Sequence, residues 1–347
     1  MEAIVTRDET GFEKLARLDQ QAFSALTEPH RRELQAHCYR MTGSLQEAED
    51  LVQDTLLRAW QRRDSYAGRG PLRAWLYRIA TNLCLDRLNR QPRRSLPVAV
   101  QSPLPAGQSL PAAILEPVWL EPCPDDLLAP EAENPEARYG LRESVTLAFM
   151  TALHVLPPRQ RAVLILRDVL DWPASEAAEL LGLSVPAVKS ALHRARTTLS
   201  SHYQTTRPDS LSLAGLDKLD ERRQGQLARY AQAWEMADVN ALAALLKADA
   251  TFSMPPNPGW AQGVDDIRAL VDGSIFGGQA GRWRLVPTRA SGEAGFGLYR
   301  IDEQDKRYHA YGVMVVSFDG EAIAAMTTFR TPALVKYFNL PDTLPEK

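Results

Sequence analysis

Apolar residues recur at three- and four-residue spacing through most of the first two hundred positions and at two-residue spacing in the last third, so helices precede strands along the chain. Between Ser175 and Thr198, Ala177, Ala178, Leu180 and Leu181 form the packing stripe of one helix, and Val188, Ala191, Leu192 and Ala195 that of the next. Gly182 permits the left-handed backbone that ends the first, and Ser184 caps the second. The pattern predicts a helix-turn-helix with Ala187, Lys189, Ser190, His193, Arg194 and Arg196 pointing outward. Leu51, Val52, Leu56 and Leu57 predict an amphipathic helix with Glu47, Glu49, Asp50 and Asp54 on an acidic face beside them. Beyond about Leu219, two amphipathic helices precede alternating runs at Arg282, Gly295, Tyr308 and Ala322, which read as strands of an α+β domain.

Charge singles out one stretch. From Arg58 to Arg94 there are ten arginines, no lysine or glutamate, and only Asp64 and Asp86, in a chain whose formal net charge is −3, so any nucleic-acid contact must come from local patches. Trp60, Tyr66, Trp75 and Tyr77 interleave with these arginines. Guanidinium forks bind phosphate and aromatic faces stack on unpaired bases, a mixture suited to strand-separated DNA. Residues Pro97 to Ala137 hold nine prolines and seven acidic residues with no basic one, which predicts an extended acidic linker. The expected division is 15–96 helical, 97–138 linker, 139–204 helical with the helix-turn-helix, 205–223 a second linker, and 224–342 the α+β domain. Cys38, Cys84 and Cys123 lack metal-ligand spacing, so neither metal nor cofactor is expected, and reduced thiols fit a cytoplasmic protein. The charged amino terminus has no apolar signal core, and no apolar run reaches the roughly 18 residues of a membrane span.

In this order the segments resemble a bacterial RNA polymerase sigma factor of the extracytoplasmic-function (ECF) group. YRMTGSLQEAEDLVQDTLLRAW from Tyr39 is similar to region 2.1–2.2, and the resemblance implies docking on the β′ coiled coil of core polymerase through Glu49, Asp50, Gln53 and Asp54. GPLRAWLYRIATNLCLDRL from Gly70 is similar to regions 2.3 and 2.4, which implies melting and reading of the −10 element by Tyr66, Arg69, Arg73, Trp75, Arg78 and Asn82. The Ser65–Gly70 loop matches one that receives a flipped base. LPPRQRAVLILRD from Leu156, with the helix-turn-helix, resembles region 4, implying contact with the −35 element and the β flap. The linker is then expected to thread the polymerase's basic channel.

The last third resembles a SnoaL-like domain of the nuclear-transport-factor-2-like fold, carried by LARYAQAWEMADVNALAALL from Leu227, DATFSMPP from Asp249, WAQGVDDI from Trp260 and WRLVPTRA from Trp283. WLEP at Trp119 resembles an element of one subgroup with such a fused domain but lacks its first proline, so a neighbouring subgroup is expected. The resemblance implies a cone lined by Trp234, Met254, Trp260, Trp283, Phe296, Tyr299, His309, Tyr311 and Phe329, open to a small molecule. Two other readings compete with a sigma factor regulated in cis. One is a SnoaL-type isomerase, cyclase or hydrolase using Asp249, Asp265, Asp266, His309 or Tyr311, which form no recognisable acid–base pair. The other is a ligand-responsive helix-turn-helix repressor, which leaves the arginine-rich segment without a task. A non-catalytic protein is the expectation.

Overall fold

In the computed structural model the described residues are 19–66, 70–105, 107–114, 116, 118–128, 145–206 and 216–346, without side chains for 202–206 and 216–221. They fall into two compact units, one holding residues up to Arg93 and Ala152–His202, the other Arg94–Asp125, Val145–Thr151 and Tyr203–Lys347.

The first unit is helical. Asp19 accepts from the Ala22 amide to start α1 (Gln20–Thr27), and α2 (Arg31–Thr42) ends at left-handed Gly43. Ser44 then caps α3 (Leu45–Gln61), and α4 (Leu72–Leu88) begins after Pro71. Leu45, Ala48, Leu51, Val52, Thr55 and Ala59 make the buried stripe of α3, against Leu34, Met41, Leu76, Tyr77, Ala80 and Cys84 of its neighbours. That stripe corrects the sequence reading at two positions. Glu47, expected on the acidic face, is buried beside Arg87, and Leu57, expected on the apolar one, is 53% exposed because it lies half a turn from the stripe.

Helix α5 (Leu147–Val155) leads to α6 (Pro158–Leu164), continued by a π-helical turn at Ile165–Val169. Arg161 is buried in the first unit, where its guanidinium donates to the carbonyls of Met41, His154 and Leu156. Helices α7 (Ala174–Leu181) and α8 (Val185–Thr206) form the expected helix-turn-helix. Gly182 adopts φ 63°, the Leu183 amide bonds back to the Ala178 carbonyl, and Ser184 caps α8 at the Ala187 amide.

In the second unit α9 (Leu216–Glu235) and α10 (Val239–Ala243) precede β1 (Leu246–Ser253), β2 (Trp260–Gln262) and α11 (Val264–Val271). Strands β3 (Trp283–Ala290), β4 (Glu293–Ile301), β5 (Tyr308–Asp319) and β6 (Ala322–Phe329) follow the four alternating runs, and a short β7 (Thr343–Leu344) pairs with β5. The sheet order is β2-β1-β6-β5-β4-β3, antiparallel except for β1 beside β6. Its inner face packs on the helices through Tyr230, Trp234, Phe252, Phe276, Trp283 and Phe296.

The linker lies on this second unit. Leu104 and Ile114 donate backbone hydrogen bonds to Trp260 and Pro256 at 2.8 and 2.9 Å, while the Trp260 indole and Asn257 amide donate to the carbonyls of Gln101 and Pro111. At its end, Cys123 and Ser291 exchange hydrogen bonds, and Asp125 accepts from the Gly292 amide and from Arg289. Gly259 makes the crossing possible, since a Cβ there would stand 2.6 Å from Pro111 and 2.7 Å from Leu104.

Candidate nucleic-acid interface

Helix α4 turns its apolar residues inward and leaves a polar edge. Asn82 is exposed on it, and its amide has no hydrogen-bond partner among the described residues. Before the helix, the Tyr66 ring packs on Trp75 at 5.3 Å while its hydroxyl donates to the Gly70 carbonyl, and burial raises the hydroxyl's pKa. Tyr66 and Trp75 are thus in contact; Arg69 lies outside the described residues. Arg73 and Arg78 already have partners. Arg73 pairs with Glu33 at 2.7 Å and lies over the Tyr77 and Trp172 rings, and Arg78 pairs with Glu179 of α7 at 3.0 Å. Tyr77 also touches Trp172, with ring centroids 5.1 Å apart, so the helix-turn-helix half of this unit engages the arginines of α4.

On α8, Lys189, Ser190, His193, Arg194 and Arg196 are exposed and Ala187 is half-buried, while Val188, Ala191, Leu192 and Ala195 are buried, as the spacing dictates. Arg194 donates to the Ser190 hydroxyl at 2.7 Å. Arg196 makes a two-point pair with Asp168, at 2.8 and 2.7 Å, a partner the sequence reading did not anticipate. On α3, Asp50, Gln53, Asp54 and exposed Leu57 form one continuous stripe at helical spacing, with Glu49 half-buried at its side.

The residues expected around a cone disperse. Trp234 and Met254 are packed in the core, and Trp260 is covered by the linker. Tyr299 points to the opposite face of β4, where its hydroxyl donates to the Pro341 carbonyl, because alternation puts it out of phase with Trp283 and Arg300. Trp283 and Tyr311 remain together, edge to face at 4.9 Å, and His309 is exposed and paired with Asp305. A cavity of about 170 Å³ does exist in this unit, but between linker residues such as Leu104 and Gln108 and the α11 side chains Asp266 and Leu270. It shares no residue with the expected lining. Asp249 pairs with Lys247, and Asp265 and Asp266 sit in the first turn of α11, so the candidate proton carriers are scattered.

Three known families match the chain: Sigma-70 region 2 over residues 26–94, Sigma-70 region 4 over 146–199 and the SnoaL-like domain over 227–326. Across 93% of its length the chain is 42% identical to ECF RNA polymerase sigma factor SigG of Mycobacterium tuberculosis, and it spans 85% of that protein. The chain belongs to the ECF sigma factors. It is also 31% identical to ECF RNA polymerase sigma factor SigW of Bacillus subtilis over 52% of this chain and 88% of that one, which places the likeness in the sigma regions. The crystal structure of the ECF sigma factor SigJ of M. tuberculosis shares the fold, with a TM-score of 0.55 and 23% identity, covering 93% of this chain and 100% of that one. Promoter recognition in transcription is thus the role of this sigma factor, through its region 2 and region 4 segments. Among the described residues no helix is long and apolar enough to cross a membrane, and no cluster of His, Cys, Asp and Glu could hold a metal ion.

Proposed function

We propose that this sigma factor is regulated in cis by its SnoaL-like domain, and that the linker is the element on which regulation acts. The observation that carries the proposal is the hydrogen-bonded seat of residues 101–125 on that domain. A segment held at Leu104, Ile114 and Cys123 is not available to the basic channel of core polymerase until those bonds break, so the domain and the polymerase compete for one stretch of chain. In the assembled complex, the Asp50–Leu57 stripe of α3 meets the β′ coiled coil, Tyr66, Trp75 and Asn82 capture the opened −10 strand, and α8 enters the major groove at −35. Region 4 also touches the β flap. The protein works in the cytoplasm, and its SnoaL-like domain senses rather than catalyses, a reading supported by the scatter of its acidic residues and His309.

Gly259→Val tests the linker directly, because the added side chain collides with Pro111 and Leu104 without entering the sheet core. The expected result is a severalfold gain in affinity for core polymerase, matched by truncation after Tyr203. Wild-type affinity and transcription in both variants would defeat regulation through the linker.

A further inference from the structure

Pairing between β4 and β5 passes from Tyr299 opposite Ala310 to Leu298 opposite Gly312, which leaves Tyr311 as a β-bulge. A bulge re-aims a side chain, and this one turns Tyr311 to the helix-facing side of the sheet against Trp283. Two guanidiniums share its ring: Arg300 Cζ lies 5.5 Å and Arg330 Cζ 5.1 Å from the centroid. The register explains the first, since Trp283 pairs with Arg300 and Arg300 with His309, so all three share a face with Tyr311. Gly312 explains the second. A Cβ there would stand against the Phe329 carbonyl and 3.2 Å from Arg330 Cα, so only glycine lets the end of β6 come this close.

Like charges gathered on one ring repel, yet neither arginine forms an ion pair among the described residues. The neighbouring carboxylate, Asp305, is taken by His309 at 2.7 Å and by the Arg307 amide. Arg330 Nε is buried without a partner, while Nη1 donates to Asn257 Oδ1 at 2.6 Å. An unpaired buried N–H beside an exposed second guanidinium, with the half-buried Tyr311 ring between them and Trp283 packed behind it, has the chemistry of a receptor for a flat anion. Asn257, on its other side, holds the linker at the Pro111 carbonyl.

We infer that Arg300, Arg330 and Tyr311 form a binding site for a small organic carboxylate with a flat apolar body, and that Asn257 transmits its occupancy to the linker. The second half rests on the regulatory reading above; the first does not. Arg300 and Arg330 clamp the carboxylate, and the apolar body lies against the Tyr311 ring. Drawing Arg330 towards the ligand loosens its bond to Asn257, and with it the grip on Pro111.

The full-length chain is titrated with benzoate, and with benzamide as its uncharged counterpart, by tryptophan fluorescence and calorimetry. Benzoate is expected to saturate, benzamide to bind at least about tenfold more weakly, and Arg300→Gln to weaken benzoate by a similar factor, as loss of a charge-assisted bond requires. Arg300 is exposed, so an unchanged thermal transition will certify that variant's fold. Equal binding of the two probes, undiminished binding to Arg300→Gln, or no benzoate binding up to about 10 mM overturns the site. Amide exchange at Leu104 and Ile114 reads the coupling, and severalfold faster exchange with benzoate is expected. Unchanged exchange with binding intact overturns the coupling alone. A silent Gly259→Val variant with benzoate bound normally overturns the regulatory reading and leaves the site standing.

Discussion

Arg161 takes a guanidinium into the helical unit where, among the described residues, only carbonyls and a histidine meet it. Burial lowers its pKa to about 9, so it stays charged at neutral pH, bridging the end of α2 to the start of region 4. Arg161→Ala strands three buried carbonyls and is expected to cost about 3 kcal/mol, read as a lower urea midpoint. Glu293 presents the opposite case. Burial, with Asp125 close by, raises its carboxyl to about 7 from an ordinary 4.5. The folded chain therefore keeps a proton that the unfolded chain has released, and the stability this provides is full below pH 4.5 and lost as pH rises through 7. Since Asp125 anchors the linker's end, the loss falls on that anchor. Urea unfolding of the second unit should weaken between about pH 5 and about pH 8, and Glu293→Gln should flatten the slope.

Among the elements, the helix-turn-helix was legible because its punctuation is local. Gly182, Ser184 and two apolar stripes specify it within 24 residues of chain, from Ser175 to Thr198. The four long strands were legible for the same reason, their alternation being visible residue by residue. The linker's seat was not. Proline and acid content predicts an extended chain, and the described residues are irregular between helical turns at Pro97–Val100 and Asp125–Leu128, but the groups that receive Leu104 and Ile114 stand about 150 positions away and leave no local pattern. The bulge at Tyr311 was hidden likewise, since a bulge belongs to a pairing and not to a strand. The Asp168 partner of Arg196 follows the same rule, and it sharpens the expectation for α8. Arg194, whose bond to Ser190 stays within the exposed helix, is the freer cation. Arg194→Ala is expected to weaken all promoters alike and to lower the salt slope of DNA binding by about one. A changed preference at a single base pair would make it a reader instead.

In the first unit two arginines proposed to face the −10 element are engaged by the half proposed to face the −35 element, through Arg78 with Glu179 and Arg73 with Trp172. In that proposed role the arginines exchange these contacts for DNA. The Arg78–Glu179 pair is solvent-exposed and contributes at most about 1 kcal/mol, so Glu179→Ala should leave the melting temperature nearly unchanged. The same change should raise affinity for a single-stranded −10 oligonucleotide, measured by fluorescence anisotropy. The seat of residues 101–125 has a different kind of consequence, for how such proteins can be recombined. A chimaera joined only at the boundary after region 4 would pair this SnoaL-like domain with a foreign linker, lacking Pro111 for Asn257 and Asp125 for Arg289. The inheritable module is therefore discontinuous: the carboxy-terminal domain and the seated linker residues 101–125 must be exchanged together, or the transplanted regulator will have nothing to hold.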